Sequence, residues 1–166
     1  IVTRPESKIF PMSLSSHPLV TSIANLVTVT PVPWEQILAA IAKHFDCPVA
    51  TAHMLDSTDG MLHLRSQQGL PPFILDKVQV IPIGKGMAGI AAERKEPVQV
   101  CNLQTDDSGV ARPSAKMTQM EGSIAAPMLV DGKVLGVLGI AKPTAYDFSS
   151  DESELLLAIG ALLAKL

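Results

Sequence analysis

The chain has 166 residues, 47% of them hydrophobic and 17% charged, with a net charge of −3. That is length and apolar content for one domain with a full core, and it excludes a disordered chain. Weak acidity and 4% aromatic content remove any electrostatic case for nucleic acid or an anionic membrane and argue against a base-stacking surface.

Residues 1–16 hold two prolines, several serines and no sustained period, which predicts an arm or linker, with the domain proper over residues 17–166. The first residue is Ile1 and not Met, which fits either a fragment of a longer protein or a processed or tagged start. No secretory signal pattern opens the sequence, and no apolar run is long enough to cross a bilayer. Leu19, Ile23, Leu26 and Val27 fall at helical spacing. Pro31 and Pro33 interrupt, because proline removes a donor and biases its predecessor away from helix. The next helix presents Trp34, Ile37, Leu38, Ile41 and Phe45 on one face and Glu35, Gln36 and Lys43 on the other.

Val49 to Leu55 and Met61 to Ser66 read as two strands joined by turn residues Asp56 to Gly60. A helical turn is expected near Phe73 to Lys77, a strand at Val78 to Ile83, a helix at Met87 to Arg94 and a short strand at Pro97 to Asn102. A polar loop runs from Leu103 to Gly122. Asp131-Gly132 between two alternating apolar runs is the two-residue hairpin signal. That turn predicts Met128 opposite Leu135, Ala126 opposite Val137 and Ala125 opposite Leu138. Both faces of this ribbon are apolar or small, so it belongs in the middle of a sheet covered on two sides. Ser149 or Ser150 caps a last helix whose first turn carries Asp151, Glu152 and Glu154. From Leu155 onward that helix is apolar beyond one face, and a partner chain is its simplest cover. The periods give an α+β fold with an antiparallel sheet between two layers.

Gly84, Gly86 and Gly89 form GxGxxG, but no βαβ unit surrounds them. The structural reading, glycines for a bend and for close helix packing, is preferred. His17, His44, His53 and His63 stand in no metal-binding spacing; His53 and His63 lie in neighbouring strands of one hairpin, and hydrogen-bonded or exposed histidine is the default. Asp106-Asp107 and Asp151-Glu152 have no recognisable acid–base partner. Cys47 and Cys101 lack metal-ligand or CxxC spacing, which predicts free thiols in a reducing, cytoplasmic setting. The loop of residues 103–122 reads as a lid, where Arg112 and Lys116 could meet an anion.

The order Ile81-Pro-Ile-Gly-Lys-Gly-Met-Ala-Gly89, then Pro97 to Leu103, Ser123 to Ile140 and Phe148-Ser-Ser-Asp-Glu152 resembles the GAF domain family, from about Pro33 to the end. The resemblance implies a PAS-related central antiparallel sheet, terminal helices on one face, and short helices and loops enclosing a pocket on the other. It implies that Met87 and Ala88 are pocket walls, within a pocket bounded by Thr51, Gln67, Gln68, Met87, Ala88, Arg112, Lys116, Met120 and Ser123. The expected function is a non-enzymatic sensory or regulatory domain, in signal transduction or transcriptional regulation. It would couple a small molecule to homodimerisation through the terminal helices, with no direct nucleic-acid or membrane partner and the ligand or cofactor unspecified. A ligand-free dimerisation scaffold is one alternative. A free methionine sulfoxide reductase is another, although the family's reductases carry several pocket cysteines and this chain has only Cys101 near the lid. Neither cysteine is followed by histidine as in many bilin-carrying relatives. Asn102, Phe148 and Asp151-Glu152 match only the ends of the cyclic-nucleotide pattern.

Overall fold

The computed structural model describes residues 12–166. The arm expected over residues 1–16 falls mainly outside the described residues. Its end, α1 (Met12–Ser15), is a helical turn whose Leu14 packs on the core. Helix α2 (Pro18–Leu26) starts on proline, with His17 Nδ1 accepting from the amide of Leu19 at 3.1 Å. Helix α3 (Trp34–Phe45) buries Ile37, Leu38, Ile41, Ala42 and Phe45, the face its period marks, while Trp34 is half-buried. Asp46 ends it in the left-handed region, and Lys142 Nζ donates to the carbonyls of Phe45 at 2.5 Å and Asp46 at 3.3 Å.

Six strands follow in one antiparallel sheet: β1 (Val49–Leu55), β2 (Leu62–Gln68), β3 (Val80–Ile81), β4 (Val98–Val100), β5 (Ser123–Val130) and β6 (Lys133–Ala141), in the order β3-β2-β1-β6-β5-β4. Short helices α4 (Pro72–Val78), α5 (Gly86–Arg94) and α6 (Pro113–Lys116) lie in the connections, and α7 (Ser150–Leu163) closes the chain. The β5–β6 ribbon is interior, as its two apolar faces require. Asp131 and Gly132 both have positive φ, 52° and 74°, as a primed turn demands.

The expected pairing across this hairpin is off by one residue. Met128 stands opposite Gly136, Ala126 opposite Leu138 and Ala125 opposite Gly139, because a bulge between Met128 and Leu129 leaves Leu135 as the extra, exposed residue. Gly136 cannot carry a side chain: a β-carbon there would strike the His53 carbonyl and lie 2.8 Å from Met128 Sδ.

Alternation along the strands splits the core in two. Ala50, Ala52, Ile124, Ala126, Met128, Leu138 and Ile140 pack with α2, α3 and α7. Ala125, Val137, Leu62 and Val100 pack with α5 and Leu103 on the opposite face. Helix α7 begins with a reciprocal cap: Glu152 donates its amide to Ser149 Oγ at 3.1 Å, and Ser149 donates its amide to Glu152 Oε1 at 3.0 Å. Leu163 is fully buried in this core, so it is not available to a partner chain; Leu157 and Leu162 are half-buried.

Candidate functional site

A cavity of about 140 Å³ lies between the sheet and the α4, α5 and lid segments, on the face away from α2, α3 and α7. Its floor comes from β1, β5 and β6 through Thr51, His53, Ser123, Ala125 and Gly139. Residues i and i+2 of a strand share a face, so Thr51 and His53 point the same way. Ile124 and Ile140 touch both the cavity and the core beneath the terminal helices.

The walls are built by close backbone approaches. Gly84 and Gly86 take φ of +85° and +65°, and the Gly84 amide donates to the Gly89 carbonyl at 2.8 Å. A β-carbon at Gly89 would collide with the Pro82 carbonyl. The GxGxxG glycines therefore form a bend and a tight helix seat that deliver Met87 and Ala88 to the cavity. Across from them α4 supplies Ile74 and Val78, one helical turn apart, and the preceding turn supplies Leu70.

The lid is held by its own polar groups. Gln104 Nε2 donates to the carbonyls of Lys116 at 3.0 Å and Met120 at 2.8 Å, and the Leu103 amide donates to the Glu121 carbonyl at 2.7 Å. From it Leu103, Arg112, Ser114, Ala115 and Thr118 reach the cavity. The Arg112 stem lies against Gly86, where a β-carbon would stand 2.9 Å from Arg112 Cδ.

Of the nine residues the sequence reading places around a pocket, Thr51, Met87, Ala88, Arg112 and Ser123 line this cavity. Gln67, Gln68, Lys116 and Met120 do not. Gln67 stands across from Thr51, but its Oε1 accepts from the Leu70 amide at 3.1 Å and fixes the turn that places Leu70. Gln68, one residue on, faces the other side of the sheet and borders a depression at the end of α3 with Lys43 and Asp46. Lys116 Nζ donates to the Asp106 carbonyl at 3.0 Å, and Met120 packs into the second core cluster. The two cations therefore do not converge: only Arg112 reaches the cavity.

His53 is the wall residue the sequence reading leaves aside. It is 2% exposed, its Nε2 lies 2.8 Å from the Val78 carbonyl, and its Nδ1 is buried without a partner. Burial holds its pKa below the usual histidine value, with nearby His63 adding to the effect and the bond to Val78 opposing it. Thr51 Oγ1 has no hydrogen-bond partner among the described residues, whereas Ser123 Oγ donates to the Ile140 carbonyl at 3.2 Å. Strand alternation from Thr51 is the signal that could have found His53.

Neither cysteine lines the cavity. Burial pushes the Cys47 thiol up to about 11. Cys101 is exposed, and desolvation with the neighbouring Asp147 carboxylate holds it above its ordinary value. Neither is an activated nucleophile.

The sequence profile of the GAF domain matches residues 35–166. Protein YtsP of Bacillus subtilis is 29% identical over 107 residues, 64% of this chain, and the match spans 60% of that relative's length. The GAF domain of a phosphoenolpyruvate-protein phosphotransferase from Coxiella burnetii superposes with a TM-score of 0.73 at 22% identity, over 93% of this chain and 92% of that one. The free methionine-R-sulfoxide reductase of Neisseria meningitidis, solved with its substrate, superposes with a TM-score of 0.70 at 20% identity, over 89% of this chain and 84% of the enzyme. Identities this low speak for the shared fold alone. Among the described residues no helix is long and apolar enough to cross a membrane.

Proposed function

The chain belongs to the GAF domain family, and on that premise we propose that it is a non-enzymatic sensory domain that binds a small molecule in the sheet-side cavity. The carrying observation is the cavity itself: about 140 Å³, with mostly apolar walls and a few polar groups, bordered by an internally bonded lid. Ligand sites have this character, although this one is at the small end. The occupant is therefore compact and largely apolar, with Arg112 the one cation in reach among the described residues.

Signal output follows from the sheet's two-sided packing. A ligand that favours a closed lid also presses on Ile124 and Ile140, which support α2, α3 and α7 from beneath. Differential binding to two lid states then shifts the population of two helix arrangements, and those helices pair in a homodimer. The setting is a signalling or transcriptional regulator in the cytoplasm, where Cys47 and Cys101 stay as thiols.

The reductase reading has the Neisseria enzyme's fold behind it. Against it stand the absence of a cysteine from the cavity wall and the raised pKa of both thiols. A thermal-shift screen of metabolites and nucleotides tests the sensory reading. A hit should raise Tm and slow amide exchange between Leu103 and Gly122, since binding acts on the folded state and the lid has most order to gain. A panel with no hit favours a ligand-free scaffold, and steady reduction of methionine sulfoxide favours the enzyme.

A further inference from the structure

We propose that His53 Nδ1 is the cavity's hydrogen-bond acceptor, and that the occupant is a compact, mostly apolar molecule presenting one N–H or O–H to it. This rests on the sensory reading and names the chemistry its ligand must have.

The tautomer follows from the partner. A backbone carbonyl only accepts, so at 2.8 Å from the Val78 oxygen the His53 Nε2 must carry the proton. A neutral imidazole with its proton on Nε2 has a bare lone pair on Nδ1. Burial, with His63 nearby, favours that neutral ring. The Nδ1 atom has almost no accessible surface and no partner among the described residues, while His53 is one of the residues that line the cavity, so a ligand reaches Nδ1 by parting the wall beside the ring. An orphaned buried acceptor costs free energy comparable to a lost hydrogen bond. A ligand donor removes that cost.

The neighbours narrow the chemistry. Thr51, on the same face two residues earlier, offers a second unpartnered polar atom, Oγ1. Val49, Ile74, Val78, Met87, Leu103 and Ala125 supply apolar wall, while Arg112, Ser114, Thr118 and Ser123 add further polar groups. A molecule that only accepts hydrogen bonds would place lone pair against lone pair at Nδ1. At Nδ1 a donor-bearing apolar ring or chain is therefore favoured over its aprotic isostere.

Phenol and toluene are a matched probe pair: the same number of heavy atoms, with and without a donor. Their affinities are measured by calorimetry on wild-type protein and on His53→Leu. The ratio of phenol to toluene affinity should fall about tenfold in His53→Leu, the size of one hydrogen bond in a dry site. Nitrogen-15 NMR of wild-type protein gives a reading that does not depend on the variant folding. His53 should carry its proton on Nε2, and the Nδ1 resonance should move with phenol but not with toluene. A proton on Nδ1, an unchanged affinity ratio, or bound phenol that leaves Nδ1 unmoved overturns this proposal while toluene binding leaves the sensory cavity standing. If neither probe enters the wild-type protein, the cavity reading falls and this proposal with it.

Discussion

Gly139 lies directly across the β1–β6 ladder from Thr51, and a β-carbon at position 139 would stand 2.7 Å from Thr51 Oγ1. The glycine thus sets where the threonine side chain sits on the cavity floor. Gly139→Ala should destabilise the fold by about 1–2 kcal/mol, as overpacked sites do. It should also weaken toluene or phenol binding by turning Thr51. In a Thr51→Ala background the same substitution should cost much less. Equal costs in both backgrounds, measured by urea denaturation, would separate the two residues.

Leu162 and Leu163 are neighbours on α7 with different jobs. Leu163 is fully buried in the helix-side core and Leu162 is half-buried. Leu163→Glu should abolish cooperative unfolding, because it places a charge in an apolar interior. Leu162→Glu should keep the circular dichroism spectrum and lower self-association by sedimentation velocity. A Leu162→Glu protein that remains as associated as wild type would remove α7 from the interface.

The thiols should behave unequally toward a disulfide reagent. Exposed Cys101 should react first, and Cys47, buried and raised to about 11, should wait for unfolding. Cys101→Ser should leave any ligand-induced Tm shift intact. Methionine sulfoxide turnover that vanishes in Cys101→Ser would make the protein an enzyme.

Stability should fall as acid is added, in two stages. Burial lowers the folded-state pKa of His53, and burial with repulsion from His17 lowers that of His44. A histidine with a depressed folded pKa is protonated first in the unfolded chain, so its contribution is full above the ordinary value of 6.5 and declines as pH drops below it. Glu152 acts lower. Burial pushes its pKa up, but bonds from the Ser149 amide, the Tyr146 hydroxyl and Ser149 Oγ outweigh this and leave it lowered. Its contribution is full above the ordinary value of 4.5 and is lost as pH falls through the lower folded value. Tm should therefore decline as pH drops below about 6.5, and decline further below about pH 4.5. His53→Leu should flatten part of the first decline; a Tm independent of pH over that range would contradict the buried neutral ring.

Local chemistry explains what the sequence made legible. The Asp131-Gly132 turn, the Ser149 cap and the helical face of α3 each depend on residues within a few positions, and each stands as expected. The hairpin register does not: Gly136 must clear the carbonyl of His53 on another strand, and the bulge that accommodates it has no local signature. His53 was missed for the same reason, since its bond reaches Val78 in α4, 25 residues away. Lys116 looked like a ligand cation by composition, but the lid's own Asp106 carbonyl engages it. Gln67 and Gln68 could not both face one pocket, a consequence of strand alternation that applies once β2 is seen to run through Gln68.

The most direct test of the sensory account is native mass spectrometry of freshly purified protein, with the denatured protein as control. The account predicts a dimer, each chain carrying a small non-covalent adduct that disappears on denaturation, or an apo dimer that takes up phenol into its cavity. A protein that shows only the bare chain mass, and that stays bare with phenol and with toluene, would contradict it.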